Sequence, residues 1–223
     1  MKMTFITVCL LTASTFSGTA QTLQNFADSM SYAIGLSLAG SFNAQGLNEI
    51  NPDKVAEGIK NGMDESNTWM LQESEQWLQA AMVRIQDVKN EETKQAGQAW
   101  LAENKKKKGV ITTDSGLQYE IIQEGEGDSP DSNDKVTFHY TGTLTDGTVF
   151  DSSVQKGRPA TFGANQLIKG WTEGLQLMQP GAKYKFYIPY DLGYGCQPSG
   201  GGRIPACSAL IFEVELISFA AVD

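Results

Sequence analysis

The stretch FHYTGTLTDGTVFDSS (residues 138–153) decides the fold of the second half of the chain. It begins as a strand, turns at Asp146-Gly147 and continues with an aromatic ring directly followed by a carboxylate. Neighbouring side chains of a strand point to opposite faces, so one of Phe150 and Asp151 should face inward unless the strand ends or bulges there. Two interpretations of Asp151 follow: it simply ends the strand, or it is held beside apolar surface for a purpose.

The chain after Gly109 has the pattern of an antiparallel sheet. Several of its segments alternate apolar and polar residues between Gly, Pro, Asp or Ser, as expected for strands with one packed face. These segments are 117–122, 135–140, 182–189 and 209–219. The segment LIKGWTEGLQLM (167–178) instead has helical spacing and predicts one short helix laid across a curled sheet. The predicted fold class is α+β, with strands dominating this half.

The chain before Gly109 is predicted to be helical. Phe26, Met30, Ile34 and Leu38 recur every four residues, and Asn51-Pro52 is a typical start of a second helix. A third helix should begin near 66–69 and continue to Lys108, where the lysines 105–108 complement its dipole. Gly97 weakens this long helix and allows a bend.

The helices carry one narrow apolar seam and the pair Trp69 and Trp77. So small a core indicates a dimerisation module completed by a second chain. The alternative is a monomeric helical cap folded back on its own second half.

The composition excludes several classes of function. The chain has 223 residues and a formal net charge of −9, which argues against nucleic-acid binding. Residues 1–20 resemble a cleaved secretory signal peptide, and no later segment is long and apolar enough to span a membrane. Removal of this segment leaves Cys196 and Cys207, which form either a disulfide in an exported chain or two buried thiols.

The sequence holds few groups for nucleophilic or metal chemistry. The single histidine, His139, lies inside an alternating strand and is expected to be a hydrogen-bonded structural residue. Motifs for zinc, redox or nucleotide binding are missing, so no metal and no cofactor are predicted. Aromatic residues dominate instead, and Tyr194 between two glycines is well placed to point a hydroxyl into an apolar pocket.

Four ordered motifs of the second half resemble one enzyme family. They are VTFHYTGTLTDGTVFDSS (136–153), QLIKGWTEGLQLMQPG (166–181), YDLGYG (190–195) and IPACSALIFEVELI (204–217). In order and spacing they resemble the FKBP-type peptidyl-prolyl cis/trans isomerases. The helical half, including DSMSYAIGLSLAGSF (28–42), resembles the macrophage infectivity potentiator subgroup of exported bacterial dimers.

The resemblance implies an FKBP-like fold and a division of the chain. Residues 1–20 would be the signal peptide, 21–68 a helical dimerisation module and 109–223 the isomerase domain. Residues 69–108 would form the long connecting helix, with its first part in the dimerisation module and the rest a linker.

The resemblance also implies a pocket. Asp151, Tyr194, Phe150 and Trp171 would be catalytic, with Trp171 as the floor under the proline ring. The remaining pocket residues would bind substrate; they are Tyr140, Phe162, Leu167, Ile168, Ile204 and Phe212.

The sequence departs from the family pattern at two positions. Ala160 replaces an aromatic residue, which opens one wall and should alter the affinity for macrolide inhibitors more than turnover. Ala206 replaces a second proline after Ile204 and is followed by Cys207. A bridge between Cys196 and Cys207 would then pin the loop that carries Ile204 over the pocket.

Together, these observations predict an exported homodimer that accelerates X-Pro rotation in unfolded or exported polypeptides. The expected location is the periplasm, the outer membrane or the exterior. The alternative is a dimeric chaperone that holds unfolded chains, with isomerase activity incidental.

Overall fold

The computed structural model describes residues 25–47, 49–64 and 68–221, with the side chains of 68–72 left aside. The predicted signal peptide, residues 1–20, and the side chain of Trp69 lie outside this description. The chain divides into two compact units, one ending at Glu73 and the other beginning at Ser74. The predicted domain boundaries at 68 and 108 stay predictions. In the described ranges, no helix combines the length and apolarity needed to cross a bilayer.

The first unit consists of helices whose ends follow the expected capping rules. The helices are α1 (Phe26–Gln45), α2 (Pro52–Gly62) and the start of α3 (Thr68–Asn104). Asn51 accepts hydrogen bonds from the backbone N–H groups of Asp53 and Lys54, and Gly46 ends α1 in the left-handed conformation. Neither α1 nor α2 has a buried residue, and apolar side chains such as Phe26, Met30, Ile34 and Ile59 are exposed on the single chain.

The second unit is built on one antiparallel sheet. Its strands are β1 (Ile111–Thr112), β2 (Gln118–Gln123), β3 (Lys135–Leu144), β4 (Val149–Ser152), β5 (Ala160–Gly163), β6 (Lys183–Ile188) and β7 (Leu210–Ala220). In the described part of the chain they follow the order β1-β2-β6-β7-β3-β4, with β5 also paired to β3. The predicted α+β class and the hairpin at Asp146-Gly147 are therefore confirmed.

A short helix, α4 (Lys169–Leu175), lies on the concave core side of this sheet. It approaches β6 closely because Gly170 and Gly174 lack side chains. A Cβ at Gly170 would lie 2.7 Å from Ile188, and one at Gly174 would lie 2.6 Å from Phe186. This contact buries Trp171 and Leu175 in the main core.

The C-terminal part of α3 packs on the opposite face of β6 and β7. Leu101 is buried with Tyr187 and Ala209, and a Cβ at Gly97 would lie 3.1 Å from the Ala209 Cβ. Gly97 therefore marks a close helix–sheet contact, and α3 continues through it. This part of α3 belongs to the second unit and supports the sheet from behind.

The helix α3 ends at Asn104, so the prediction that it continues to Lys108 is wrong. Asn104 is buried and donates from Nδ2 to Oε1 of Gln118 over 3.0 Å, while Gln118 Nε2 donates to the Leu101 carbonyl over 2.9 Å. The Leu101 carbonyl also accepts the backbone N–H of Lys105 over 3.0 Å, and the lysines 105–108 lie in the turn that follows the helix.

Candidate active site

A cavity of about 280 Å³ opens between α4, β3, β4 and the loop that precedes β7. All ten residues predicted for the pocket line it: Tyr140, Phe150, Asp151, Phe162, Leu167, Ile168, Trp171, Tyr194, Ile204 and Phe212. The structure thus brings together residues from six separate segments of the sequence.

Trp171 lies at the base of this cavity with only 4% of its surface exposed. Its ring is 4.7 Å from that of Phe138, 5.1 Å from that of Phe212 and 5.6 Å from that of Tyr140, measured between centroids. The Phe212 and Tyr140 rings meet it edge-on, an arrangement favoured between aromatic side chains. The base is therefore apolar and held by ring contacts on several sides.

The hairpin contributes two adjacent residues to the same cavity because β4 contains a bulge. Gly142 pairs with Asp151, whereas the next residue, Thr143, pairs with Val149, so Phe150 is an extra residue in the strand. The bulge breaks the alternation, and both Phe150 and Asp151 line the cavity. Phe150 is 4% exposed and fills the space beside Gly142, where a Cβ would lie 2.6 Å from its ring. The carboxylate is thus a wall group beside an aromatic ring, as the second interpretation of Asp151 required.

Three donors surround the Asp151 carboxylate. The Tyr140 hydroxyl donates to Oδ2 over 2.7 Å, the Ser152 backbone N–H donates to Oδ1 over 2.9 Å, and the Lys156 ammonium forms an ion pair with Oδ1. Partial burial raises the pKa of this carboxyl, but the bonds from Lys156 and Tyr140 outweigh it, so the pKa lies below its ordinary value. Asp151 is therefore ionised at neutral pH with its orientation fixed.

Both cavity tyrosines hold their protons firmly. Burial and the hydrogen bond to Asp151 raise the pKa of Tyr140, and burial together with the negative charge of Asp151 raises the pKa of Tyr194. Tyr194 remains 40% exposed, at the edge of the cavity. Its hydroxyl can donate a hydrogen bond to a ligand carbonyl across the neutral range.

The loop over the cavity is closed by a disulfide between Cys196 and Cys207. Cys207 also donates its backbone N–H to the Gly195 carbonyl over 2.9 Å, and it has a positive φ of 58°. Ile204 is buried on this loop and contacts the main core. The bridge therefore spans the segment that carries one wall of the cavity.

His139 is a structural residue, as predicted. Its Nδ1 lies 3.0 Å from Oγ of Ser153, which also accepts the backbone N–H of Tyr140 over 2.8 Å. It is not among the residues that line the cavity.

Sequence reasoning missed five residues of the cavity wall: Phe138, Gln166, Ser199, Gly200 and Arg203. Phe138 could have been found, since it has the same strand parity as Tyr140. The two polar side chains Gln166 and Arg203 follow no periodic pattern, and only the path of their loops brings them to the cavity.

Comparisons with known proteins agree with this fold and site. The family model described as "FKBP-type peptidyl-prolyl cis-trans isomerase" matches residues 127–217, and that of the domain amino terminal to it matches residues 27–121. The "Outer membrane protein MIP" of Legionella longbeachae is 41% identical over 230 residues, covering 98% of each chain. The isomerase FkpA of Aeromonas hydrophila is 41% identical over 209 residues, covering 87% of this chain and 77% of the relative.

A solved structure is similar over most of the chain. The crystal structure of FkpA from Escherichia coli matches with a TM-score of 0.73 and 30% identity, covering 90% of this chain and all of that one. The aromatic cavity on a curled sheet with one short helix defines a prolyl isomerase of the FKBP type, and the chain belongs to that family. The predicted likeness to the macrophage infectivity potentiator subgroup is confirmed.

Proposed function

We propose that X-Pro bonds rotate in this cavity, with Asp151, Tyr194, Phe150 and Trp171 acting on the reacting segment. The observation that carries the proposal is the Asp151 carboxylate, anchored by Tyr140 on the wall of a mostly aromatic and aliphatic cavity. The other predicted residues would bind the substrate; they are Tyr140, Phe162, Leu167, Ile168, Ile204 and Phe212. This set needs neither metal nor cofactor.

The reaction requires rotation, and no covalent bond is broken. The planar amide is stabilised by resonance, which sets a barrier of about 18–20 kcal/mol. Resonance also places partial charge on the carbonyl oxygen, so water favours the planar form. The rings around Trp171 exclude water and thereby favour the twisted, less polar amide.

The polar groups would then act on the twisting amide. The Tyr194 hydroxyl would hold a substrate carbonyl by a hydrogen bond and fix one side of the bond. The ionised Asp151 would orient neighbouring groups or interact with the amide as it leaves planarity. Each interaction made better in the twisted state than in the planar one raises the rate tenfold per about 1.4 kcal/mol.

We also propose that the protein is exported and acts on unfolded or exported polypeptides that contain proline. The Cys196–Cys207 disulfide supports export, because disulfides persist in oxidising compartments. The signal-like residues 1–20 support the same conclusion. The periplasm, the outer membrane and the exterior all meet this condition. Macrolides are proposed inhibitors, with an affinity altered by the small Ala160.

The helical unit is proposed to join two chains. Phe26, Met30, Ile34 and Ile59 are exposed on α1 and α2, which bury no residue in the single chain. Apolar surface of this extent is typical of an interaction surface. Equilibrium ultracentrifugation of the mature protein should give a dimer, and a monomer would leave the helices as a cap only.

The exposed apolar helices also favour a second function, that of a dimeric chaperone. Paired units would bind one flexible client with avidity. In this case Asp151→Leu should reduce isomerisation of a peptide and still protect an unfolded protein from aggregation.

The experiment that tests the main proposal measures cis/trans exchange in a Leu-Pro peptide by NMR. Asp151→Leu and Tyr194→Phe should each reduce the acceleration, and Tyr32→Phe, an exposed tyrosine of α1, serves as the control. Acceleration unaffected by either cavity variant would contradict the assigned roles. A wild-type protein without acceleration would contradict the isomerase site itself.

A further inference from the structure

Two residues that line the cavity carry a charge at neutral pH, Asp151 and Arg203. The charge of Asp151 is matched by Lys156. In the described part of the chain, no carboxylate forms an ion pair with Arg203, although it is exposed at the cavity wall. The cavity therefore presents one unmatched positive charge to whatever enters it.

The Arg203 side chain is tied to its own loop on one side. Its Nε donates to the Gly200 carbonyl over 2.9 Å, and among the described residues no further hydrogen bond to the guanidinium is formed. Three successive glycines, 200–202, have φ between 60° and 86°, a conformation that residues with side chains rarely adopt. The tight turn they allow brings Arg203 back to the cavity edge, with its Nη groups available.

The loop around Arg203 is held together by a pair of backbone hydrogen bonds and by a disulfide. Ser199 and Ile204 exchange backbone hydrogen bonds of 3.1 and 3.2 Å, and the Cys196–Cys207 disulfide encloses that pair. A guanidinium on such a loop loses less conformational freedom on binding than one on an open loop. The backbone that carries Arg203 is thus held at the cavity edge.

A guanidinium fork matches a carboxylate in two hydrogen bonds, which a neutral amide cannot reproduce. Trp171 and Arg203 line the same cavity of about 280 Å³. A peptide whose proline rests on Trp171 would therefore bring the residues directly beside that proline nearest to the guanidinium. The formal charge of −9 opposes acidic peptides at long range, so this preference depends on the local charge.

We propose that Arg203 is a specificity-determining residue that favours substrates with Glu or Asp directly beside the proline. This inference rests on the proposed function, because it assumes that the proline enters the same cavity. It adds a substrate class to a site whose walls are mostly aromatic and aliphatic.

The test compares kcat/KM for two pairs of peptides with the full-length protein. In one pair Glu or Gln precedes the proline, and in the other Glu or Gln follows it, so that each pair differs only in charge. In at least one pair the Glu peptide should be favoured about two- to fivefold at low salt, as expected for a partly exposed ion pair. High salt should reduce the ratio.

Variants then test whether Arg203 causes the ratio of kcat/KM between the Glu and Gln peptides. Arg203→Gln should bring the ratio to about one, and Arg203→Glu should bring it below one. Arg158→Gln removes the same charge from an exposed position outside the cavity wall and should keep the wild-type ratio. The ratio is the readout because a general loss of activity affects both peptides of a pair equally.

Two results would overturn the inference while leaving the isomerase proposal intact. One is a Glu-to-Gln ratio of kcat/KM near one in both pairs, obtained while the protein still accelerates the Gln peptides. The other is a Glu preference that persists in Arg203→Gln. No acceleration of any peptide would instead overturn the proposed function, and with it the inference.

Discussion

The Tyr140 hydroxyl lies 2.7 Å from Oδ2 of Asp151 and donates a hydrogen bond to it, so an aromatic wall residue orients the carboxylate of the cavity. The same ring meets Trp171 edge-on at 5.6 Å. Tyr140 therefore links the polar group of the cavity to its apolar base. Substitutions of Tyr140 should therefore separate the effect of its hydrogen bond to Asp151 from that of its ring contact with Trp171.

Tyr140→Phe should keep the ring contacts and lose the hydrogen bond. Because bonds to charged groups contribute about 1.5–3 kcal/mol and this one is partly exposed, kcat/KM should fall about three- to tenfold. NMR exchange on a neutral Leu-Pro peptide measures the effect, with Tyr32→Phe as the control. An unchanged kcat/KM would show that the orientation of Asp151 does not matter for rotation.

The decrease of isomerase activity at acid pH should follow protonation of the Asp151 carboxyl. Its pKa lies below the ordinary value of 3.8, so activity should stay constant from neutral pH into the acid range and fall only below that value. Lys156→Met removes the ion pair, raises the pKa of Asp151 and should move this decrease to higher pH. Lys106→Met, which breaks the exposed pair with Glu103, should not move it.

The free energy of unfolding should also decrease as the pH falls through the pKa of Asp151. A carboxyl whose pKa is lowered by folding stabilises the native state above its unfolded pKa, and this contribution disappears as the pH falls through the folded pKa. Denaturant unfolding of wild type and Asp151→Asn should therefore differ at neutral pH and converge in strong acid. A constant difference at all pH values would contradict the assigned ionisation.

Reduction of the Cys196–Cys207 disulfide should lower both Tm and activity. The bridge closes a loop with a sequence separation of 11, for which the chain-entropy model gives about 2–3 kcal/mol. The loop carries Ile204, so its release should also loosen one cavity wall. The double variant Cys196→Ser/Cys207→Ser should resemble the reduced protein and be insensitive to dithiothreitol. If dithiothreitol leaves the wild-type Tm and kcat/KM unchanged, the bridge has no such role.

Gly142→Ala should damage the site through packing. The added Cβ would lie 2.6 Å from the Phe150 ring and 2.7 Å from the Phe212 ring, so both wall residues must move. Overpacking of this kind costs about 1–3 kcal/mol, measurable by denaturant unfolding, and kcat/KM should fall with it. Gly58→Ala, with no atom within 4 Å of the new Cβ, is the control and should not destabilise the protein. Equal stability of Gly142→Ala and wild type would contradict the close contact.

Fragments of the chain should distinguish the two roles of α3. A fragment beginning at Gly109 lacks Leu101 and the Asn104–Gln118 bond, so it should be less stable than one beginning at Glu91 by at least about 2 kcal/mol. Both should be monomers by ultracentrifugation, because the exposed apolar helices are gone. Equal stability would show that α3 is only a linker.

Much of the fold could be predicted because its signals are local. The Asp146-Gly147 turn, the alternating strands and the Asn51 cap each depend on a few adjacent residues. The sequence pattern did not predict the end of α3 at Asn104, where the buried side chain bonds to Gln118, 14 residues further along the chain. The close contact of Gly97 with Ala209 is a tertiary feature of the same kind.

Prediction of the site from the sequence has the same limit. The family pattern indicated all ten predicted wall residues, but alternation alone would have sent Phe150 and Asp151 to opposite faces. The bulge that reconciles them is visible only in the pairing of β3 with β4. Arg203 reaches the cavity through a glycine turn whose path no periodic pattern encodes.

The bulge at Phe150 also limits how this chain can vary in length. Deleting one residue between Thr148 and Asp151 would restore regular pairing and, with it, strict alternation, so that the ring and the carboxylate could no longer share a face. A deletion within β4 should therefore disrupt the site, whereas a change of length in the loop after Ser153 leaves this pairing intact. The extra residue in β4 thus determines which side chains of this strand face the cavity.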